Sequence, residues 1–322
     1  MNVLFHENQL TYRGTSVSLY DYAHYNEIML GNKSYIIYNK NNPSNNINAI
    51  QRFEKRFNVF GYTSVEEIDK IIEEHKIDVF YAIKSGEKDD IITKKCRSCM
   101  HVVFQAYEPH GDVYAYVSHW LAQTMSNDKA PYVPHIVHLP KEDADLKNDL
   151  SIPVSAKVFG YYGGHNSFNI KFVQNTIYKI AKRHPKIYFI FMGVDKFIAN
   201  SWFSDYSDIK NIIFLPPNTD TNYKVKFINT CDAMLHARLS GETFGIAIGE
   251  FAISNKPIIT YLNSPEKAHI QMLGDNAFYY HSKKSLKKIL LLEDLSKKNA
   301  AAQYNEFSPE KVMDKFNKIF LQ

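Results

Sequence analysis

At 322 residues the chain is long for one hydrophobic core and suits two domains of about 150 residues each. Its hydrophobic content of 45% supports real cores, while the net charge of +4 comes from interleaved acidic and basic residues without a Lys/Arg cluster, which argues against nucleic-acid binding. No run approaches the length of a membrane span, and residues 1–10 lack a basic start followed by an apolar stretch, so a soluble, cytoplasmic chain without a transmembrane segment is expected, with peripheral membrane association left open.

Residues 2–5 read as a strand, followed by H-E-N-Q-L-T-Y-R-G-T-S and a helical pattern through Tyr20, Tyr22 and Ala23 to about residue 30. A first strand feeding a glycine loop and a helix is how nucleotide-binding α/β domains begin. Gly14 is the single glycine here, so there is no G-x-G-x-x-G dinucleotide fingerprint. A strand at 34–38, a polar Asn-rich loop, a helix at 47–56 and a short strand at 58–60 come next. Ser64 with Glu67 three residues on reads as a capping box. Residues 78–83 form a buried strand, and the alternation of strands and helices implies a parallel sheet whose ligands lie beyond the carboxyl ends of the strands. Lys84, Ser85 and Gly86 occupy such an end.

Three cysteines cannot build a disulfide framework, and the one C-x-x-C, Cys96 and Cys99, has only His101 nearby, too few ligands for zinc. No metal is expected. A strand at 101–105 leads into A-Y-E-P-H-G-D, where Pro109 and Gly111 hold His110 on a constrained loop at the carboxyl end of the sheet. Of the 13 histidines it is the one to single out, with His101 and His119 as alternatives and a plain surface residue as the simpler reading. V-Y-A-Y-V-S-H-W-L-A is a strand running into a helix. Y-V-P-H-I-V-H-L-P follows, and the charged stretch after it marks a linker at about 140–153. The division expected is 1–145, 146–307 and a terminal helix at 308–322.

The second domain opens with a strand at 155–160 and the loop Y-Y-G-G-H-N-S-F-N-I. Gly163 and Gly164 allow backbone to approach a ligand, and the helix behind them, 168–183, presents an anion-attracting end. Strands at 187–192 and 211–215 and a helix at 223–230 lead to the stretch that organises the chain, 231–261. There Leu239-Ser240-Gly241 delivers Glu242 to the first turn of a helix starting near Thr243 and stopping before Lys256-Pro257, with a strand at 258–261 after it. The amides of Thr243, Phe244 and Gly245 at that helix start favour phosphate. Glu250 lies within I-A-I-G-E-F-A-I, apolar nearly all round, and a buried carboxylate needs partners, a backbone amide or a lysine being the plain ones. Eight residues of helix rise about 12 Å, so Glu242 and Glu250 can grip opposite ends of one polyhydroxyl ligand. A helix from 264, a strand at 277–280 and helices from 283 follow. Ser308-Pro309-Glu310 opens the last helix, with Val312, Phe316, Ile319 and Phe320 on one face.

The spacing Glu242 to Glu250, with F-G inside it and N-K-P-I-I-T after it, resembles the E-x7-E signature of retaining GT-B fold glycosyltransferases, family 4 above all. The resemblance implies an α/β fold of GT-B architecture, two Rossmann-like domains facing across a central cleft, the first on the acceptor side and the second holding the donor. It implies transfer of a sugar from a nucleotide-sugar donor to a glycan or other hydroxyl acceptor, with retention, without metal and without a cofactor. Glu242 then contacts the donor sugar, the amides of Thr243, Phe244 and Gly245 the sugar and phosphate, and Glu250 the ribose. Gly14 with Thr15 match the family's glycine turn, Gly163 and Gly164 its second-domain loop, and His110 its histidine directed at the donor sugar. Tyr161 departs from the family, standing where many members carry an arginine that neutralises the diphosphate; Arg238 and Lys171 are the available substitutes. The last helix packs back on the first domain in such proteins, a partner surface being the alternative. A sugar-nucleotide epimerase or hydrolase on the same fold, or a non-catalytic nucleotide-sugar or glycan-binding module, are the competing functions. Base, sugar, acceptor, linkage and oligomeric state stay open.

Overall fold

The computed structural model describes residues 1–197, 209–218 and 220–322. The chain divides into two compact units, Met1–Ile136 with Glu306–Gln322, and Val137–Asn305.

In the first unit, β1 (Asn2–Glu7), β2 (Lys33–Asn39), β3 (Asn58–Tyr62), β4 (Val79–Lys84), β5 (Arg97–Val102) and β6 (Val113–Tyr116) form one parallel sheet in the order β3-β2-β1-β4-β5-β6. Helices α1 (Gly14–Ile28), α2 (Ile47–Glu54), α3 (Val65–Glu74) and α4 (His119–Ser126) connect or follow the strands. Strands buried on both faces are near-continuous apolar runs, as in β4, where every residue including Lys84 is buried. Ser118 caps α4 by accepting from the Leu121 amide at 3.2 Å. At α3 the expected capping box is replaced: the Ser64 side chain makes no cap bond, and Glu67 instead takes the Thr63 amide at 2.8 Å and its hydroxyl at 3.0 Å.

The second unit repeats this topology. β7 (Lys157–Tyr162), β8 (Ile187–Met192) and β9 (Ile212–Leu215) run outward on one side, and β10 (Ala233–Leu235), β12 (Ile258–Tyr261) and β14 (Phe278–Tyr280) on the other, all parallel. A two-stranded pair, β11 (Gly241–Glu242) with β13 (Glu266–Lys267), stands apart. The helices are α5 (Lys171–Arg183), α6 (Thr221–Thr230), α7 (Ile246–Ile253), α8 (Ala268–Leu273) and α9 (Lys283–Leu290). Residues 137–145, assigned by composition to the first unit, go with the second. The Asn229 side chain holds the Glu142 and Ala144 carbonyls, and the Leu146 amide donates to Thr230 Oγ1 at 2.8 Å.

The final helix α10 (Pro309–Phe316) completes the first unit's core. Phe316 stacks on Phe5 and Tyr22 and packs against Tyr81, and Phe320 packs against Tyr81 and His101. Cys99 Sγ donates to the Phe320 carbonyl at 3.3 Å. The expected strand at 101–105 starts earlier, at Arg97, which puts Cys99 inside the sheet, and burial pushes its thiol up to about 12. Such a thiol is structural rather than reactive.

Candidate functional site

In an open parallel sheet, ligands bind beyond the carboxyl ends of the strands, where the connections change direction. In the second unit that switch lies between β7 and β10. Tyr162 ends β7, and His236, Arg238 and Glu242 follow β10. Glu242 belongs to β11, not to a helix as the sequence suggests, and α7 begins only at Ile246. Gly241 makes this possible, with φ +80° and so little room that a Cβ would lie 2.0 Å from the Glu266 carbonyl oxygen. Gly245, with φ +92°, turns the chain into α7. The unpaired amides of the first helical turn therefore start at Ile246, three residues beyond the predicted Thr243, and Thr243, Phe244 and Gly245 form the link. Glu242 and Glu250 flank that turn without sharing a helix.

The Glu242 carboxylate has two basic neighbours. His236 Nε2 lies 3.2 Å from Oε1, and Arg238 donates to Oε2 at 2.8 Å. His236 is fully buried and its Nδ1 lies 2.9 Å from Thr260 Oγ1, so the ring is fixed from both sides. Burial raises the Glu242 pKa, but the His236 hydrogen bond and the Arg238 charge outweigh it and hold the carboxyl below its usual value. His269, its ring 5.1 Å from that of His236, is pushed down to about 3 by burial and is neutral.

Glu250 is buried as expected, and a lysine is its partner: Lys224 donates to Oε1 at 2.6 Å. The Tyr162 hydroxyl donates to Oε2. Both partners come from far along the chain, which is why sequence spacing did not reveal them; the same is true of Thr260, whereas His236 lies close before Glu242 in sequence and was legible there.

Other expected residues are placed differently. Tyr161 remains inside β7, buried against Phe168, so no cation stands at that position. Arg238 is already engaged by Glu242, and Lys171 is exposed at the first position of α5. Helix α5 starts three residues later than predicted. Gly163 donates its amide to the Met192 carbonyl at 3.1 Å, fixing the end of β7 to β8, while a Cβ at Gly164 would meet open space.

In the first unit, β1 runs two residues further than predicted and ends on buried His6 and Glu7. Gly14 opens α1, Thr15 donates to Glu7 Oε1, and Ser16 donates to Oε2 at 2.6 Å. Burial pushes the Glu7 carboxyl up to about 7 against the pull of those hydroxyls. Sequence reasoning missed Glu7, although a Glu ending a strand before a Thr-Ser pair is a legible signal. Lys84 ends β4 and holds Asp89 at 2.6 and 2.7 Å. His110 does not join these groups. His110 sits on a loop tied to both ends of the sheet, where Glu108 accepts from the Lys88 amide beyond β4 and Asp112 exchanges hydrogen bonds with Ser98 at the start of β5. It is buried there, its Nδ1 2.7 Å from the Glu108 carbonyl.

No family model and no curated relative matches the chain. Among solved structures, a glycosyltransferase from Rickettsia africae ESF-5 superposes with a TM-score of 0.71 at 15% identity, covering 99% of this chain and 97% of that one. Anabaena Alr3699/HepE in complex with UDP-glucose gives 0.72 at 14% identity, covering 99% and 98%. The fold is GT-B. A Listeria monocytogenes GT-B neighbour described as a UDP-N-acetylglucosamine 2-epimerase gives 0.61 at 9% identity, covering 98% and 94%. No helix among the described residues is long and apolar enough to cross a membrane.

Proposed function

We propose that the chain is a family 4 type glycosyltransferase, which moves a sugar from a nucleoside-diphosphate sugar to an acceptor hydroxyl with retention of configuration and without a metal ion. The observation that carries this reading is the pair of carboxylates, Glu242 and Glu250, on either side of the first turn of α7 at the switch between β7 and β10. The UDP-glucose bound by HepE, a structure of the same fold, supports a nucleotide-sugar as donor.

The reaction separates a sugar from a diphosphate and needs both a developing cation and a departing anion stabilised in a site closed to water. The amides of the α7 first turn face the anion with the positive end of the helix dipole. Glu242, ionised and fixed by His236 and Arg238, orients the sugar hydroxyls and lends negative charge beside the anomeric carbon. Once the diphosphate arrives, Arg238 can serve both anions from one position. Glu250 takes the ribose.

A non-catalytic nucleotide-sugar-binding module is the second reading. Burial of Tyr161 where a cation is expected favours it. A panel of UDP-, GDP-, dTDP- and CMP-sugars in thermal-shift measurements with wild type and Glu250→Ala tests the donor site. A ligand at about 100 times its dissociation constant stabilises by roughly 2.7 kcal/mol. The expected outcome is one responding nucleotide in the wild type and none in the variant. Release of free nucleotide only when an acceptor is added separates a transferase from an epimerase, a hydrolase and a binding module.

A further inference from the structure

Glu250 sits in a frame more rigid than burial alone requires. The Tyr162 ring is stacked on Phe251 with centroids 5.7 Å apart and meets Phe227 edge-on at 6.1 Å, so its hydroxyl points at Glu250 from a ring that cannot swing. Lys224 lies one turn inside α6, whose start is fixed by the Asp220 side chain accepting from the Asn222 and Tyr223 amides at 2.9 and 3.4 Å. Its ammonium reaches Glu250 at 2.6 Å and stands 5.7 Å from the Tyr162 ring centre. The side chains of Lys224 and Glu250 are 15% and 5% exposed. Each carboxylate oxygen thus has its own donor, one from the end of β7 and one from α6, and the plane of the carboxylate is determined.

A carboxylate accepts at about four lone-pair positions, so a vicinal diol can bond to Glu250 with Lys224 and Tyr162 still in place. Taking α7 as the donor side of the second unit, as proposed above, we infer that Lys224 and Tyr162 are positioning residues that aim Glu250 at both hydroxyls of a ribose, and so make the site selective for ribonucleotides over 2′-deoxyribonucleotides. A carboxylate free to rotate would accept one hydroxyl nearly as well as two. One clamped at both oxygens loses a bond outright when the 2′-hydroxyl is missing. The same frame keeps the carboxylate from collapsing onto the amides of α7 that the phosphates need.

The test is calorimetric titration of wild type, Tyr162→Phe and Lys224→Met with UDP against dUDP and GDP against dGDP. In the pair that binds, the wild type should prefer the ribonucleotide by roughly ten- to hundredfold, the range for a hydrogen bond to a charged group. Both variants should move that ratio toward one while keeping the deoxynucleotide affinity, which also reports that the site is folded. Removing one partner of a buried ion pair is strongly destabilising; should Lys224→Met not fold, Tyr162→Phe, which loses only a hydroxyl, decides. A ratio unchanged in a folded variant overturns the inference, as does a wild type that binds both sugars equally, and either result leaves the nucleotide site standing. A wild type that binds none of the four nucleotides overturns the donor-site reading itself, and this inference with it.

Discussion

The two units carry the same six-stranded parallel topology, and each brings a carboxylate to the carboxyl edge of its sheet, yet the surroundings drive the two groups in opposite directions. Glu7 has the Thr15 and Ser16 hydroxyls as hydrogen-bond donors, and burial carries its carboxyl up to about 7. Glu242 has an imidazole and a guanidinium, and its carboxyl falls below the usual value although burial pulls the other way. At Glu7 the two hydroxyls and the Arg13 charge do not offset the loss of solvation; at Glu242 the His236 hydrogen bond and the Arg238 charge do. The second unit therefore offers a fixed negative charge, and the first a group that changes charge near neutrality.

The largest expected effect breaks the fixed charge. Glu242→Gln keeps the shape and removes the anion, and turnover should fall roughly 10²–10³-fold, the range for losing one electrostatic contact to a transition state. The dissociation constant for nucleotide alone should change little, because Glu250 is intact; a parallel loss of nucleotide binding would mean that Glu242 is structural.

Next comes the titrating group. A carboxyl with a folded pKa near 7 and an unfolded one near 4.5 binds more protons in the folded state between those values, so stability falls as pH rises through that window and levels off above it. The fall should be on the order of 3 kcal/mol in urea denaturation of the wild type. Glu7→Gln should flatten it, and an unchanged slope would place the titration elsewhere. The smallest effect sharpens the same point. Ser16→Ala removes one hydroxyl from Glu7 and should cost about 1–2 kcal/mol while moving the upper end of the slope to higher pH.

Local patterns made most of the fold legible. The apolar runs of β4, β7 and β8 and the proline after α7 are read from neighbouring residues, and the parallel sheet follows from alternation with helices. The E-x7-E spacing drew attention to Glu242 and Glu250, both of which lie at the switch point. What encloses them was not legible, because Lys224, Tyr162 and Thr260 are brought in by tertiary packing and carry no spacing signal. The helix start was misread because Gly241 and Gly245 adopt left-handed backbone, which turns an apparent first turn into a short strand and a link. The partners of His110, the Tyr114 ring and the Glu108 carbonyl, are likewise not recorded by loop composition.

The segment Glu306–Gln322 belongs to the first unit, where Phe316 and Phe320 are fully buried among Phe5, Tyr22 and Tyr81. On the ribosome, the aromatic face of the first unit must then wait, uncovered, until the whole second unit has been synthesised. The second unit is continuous in sequence and needs no later segment. The order of translation and the order of core completion are thus reversed for the first unit.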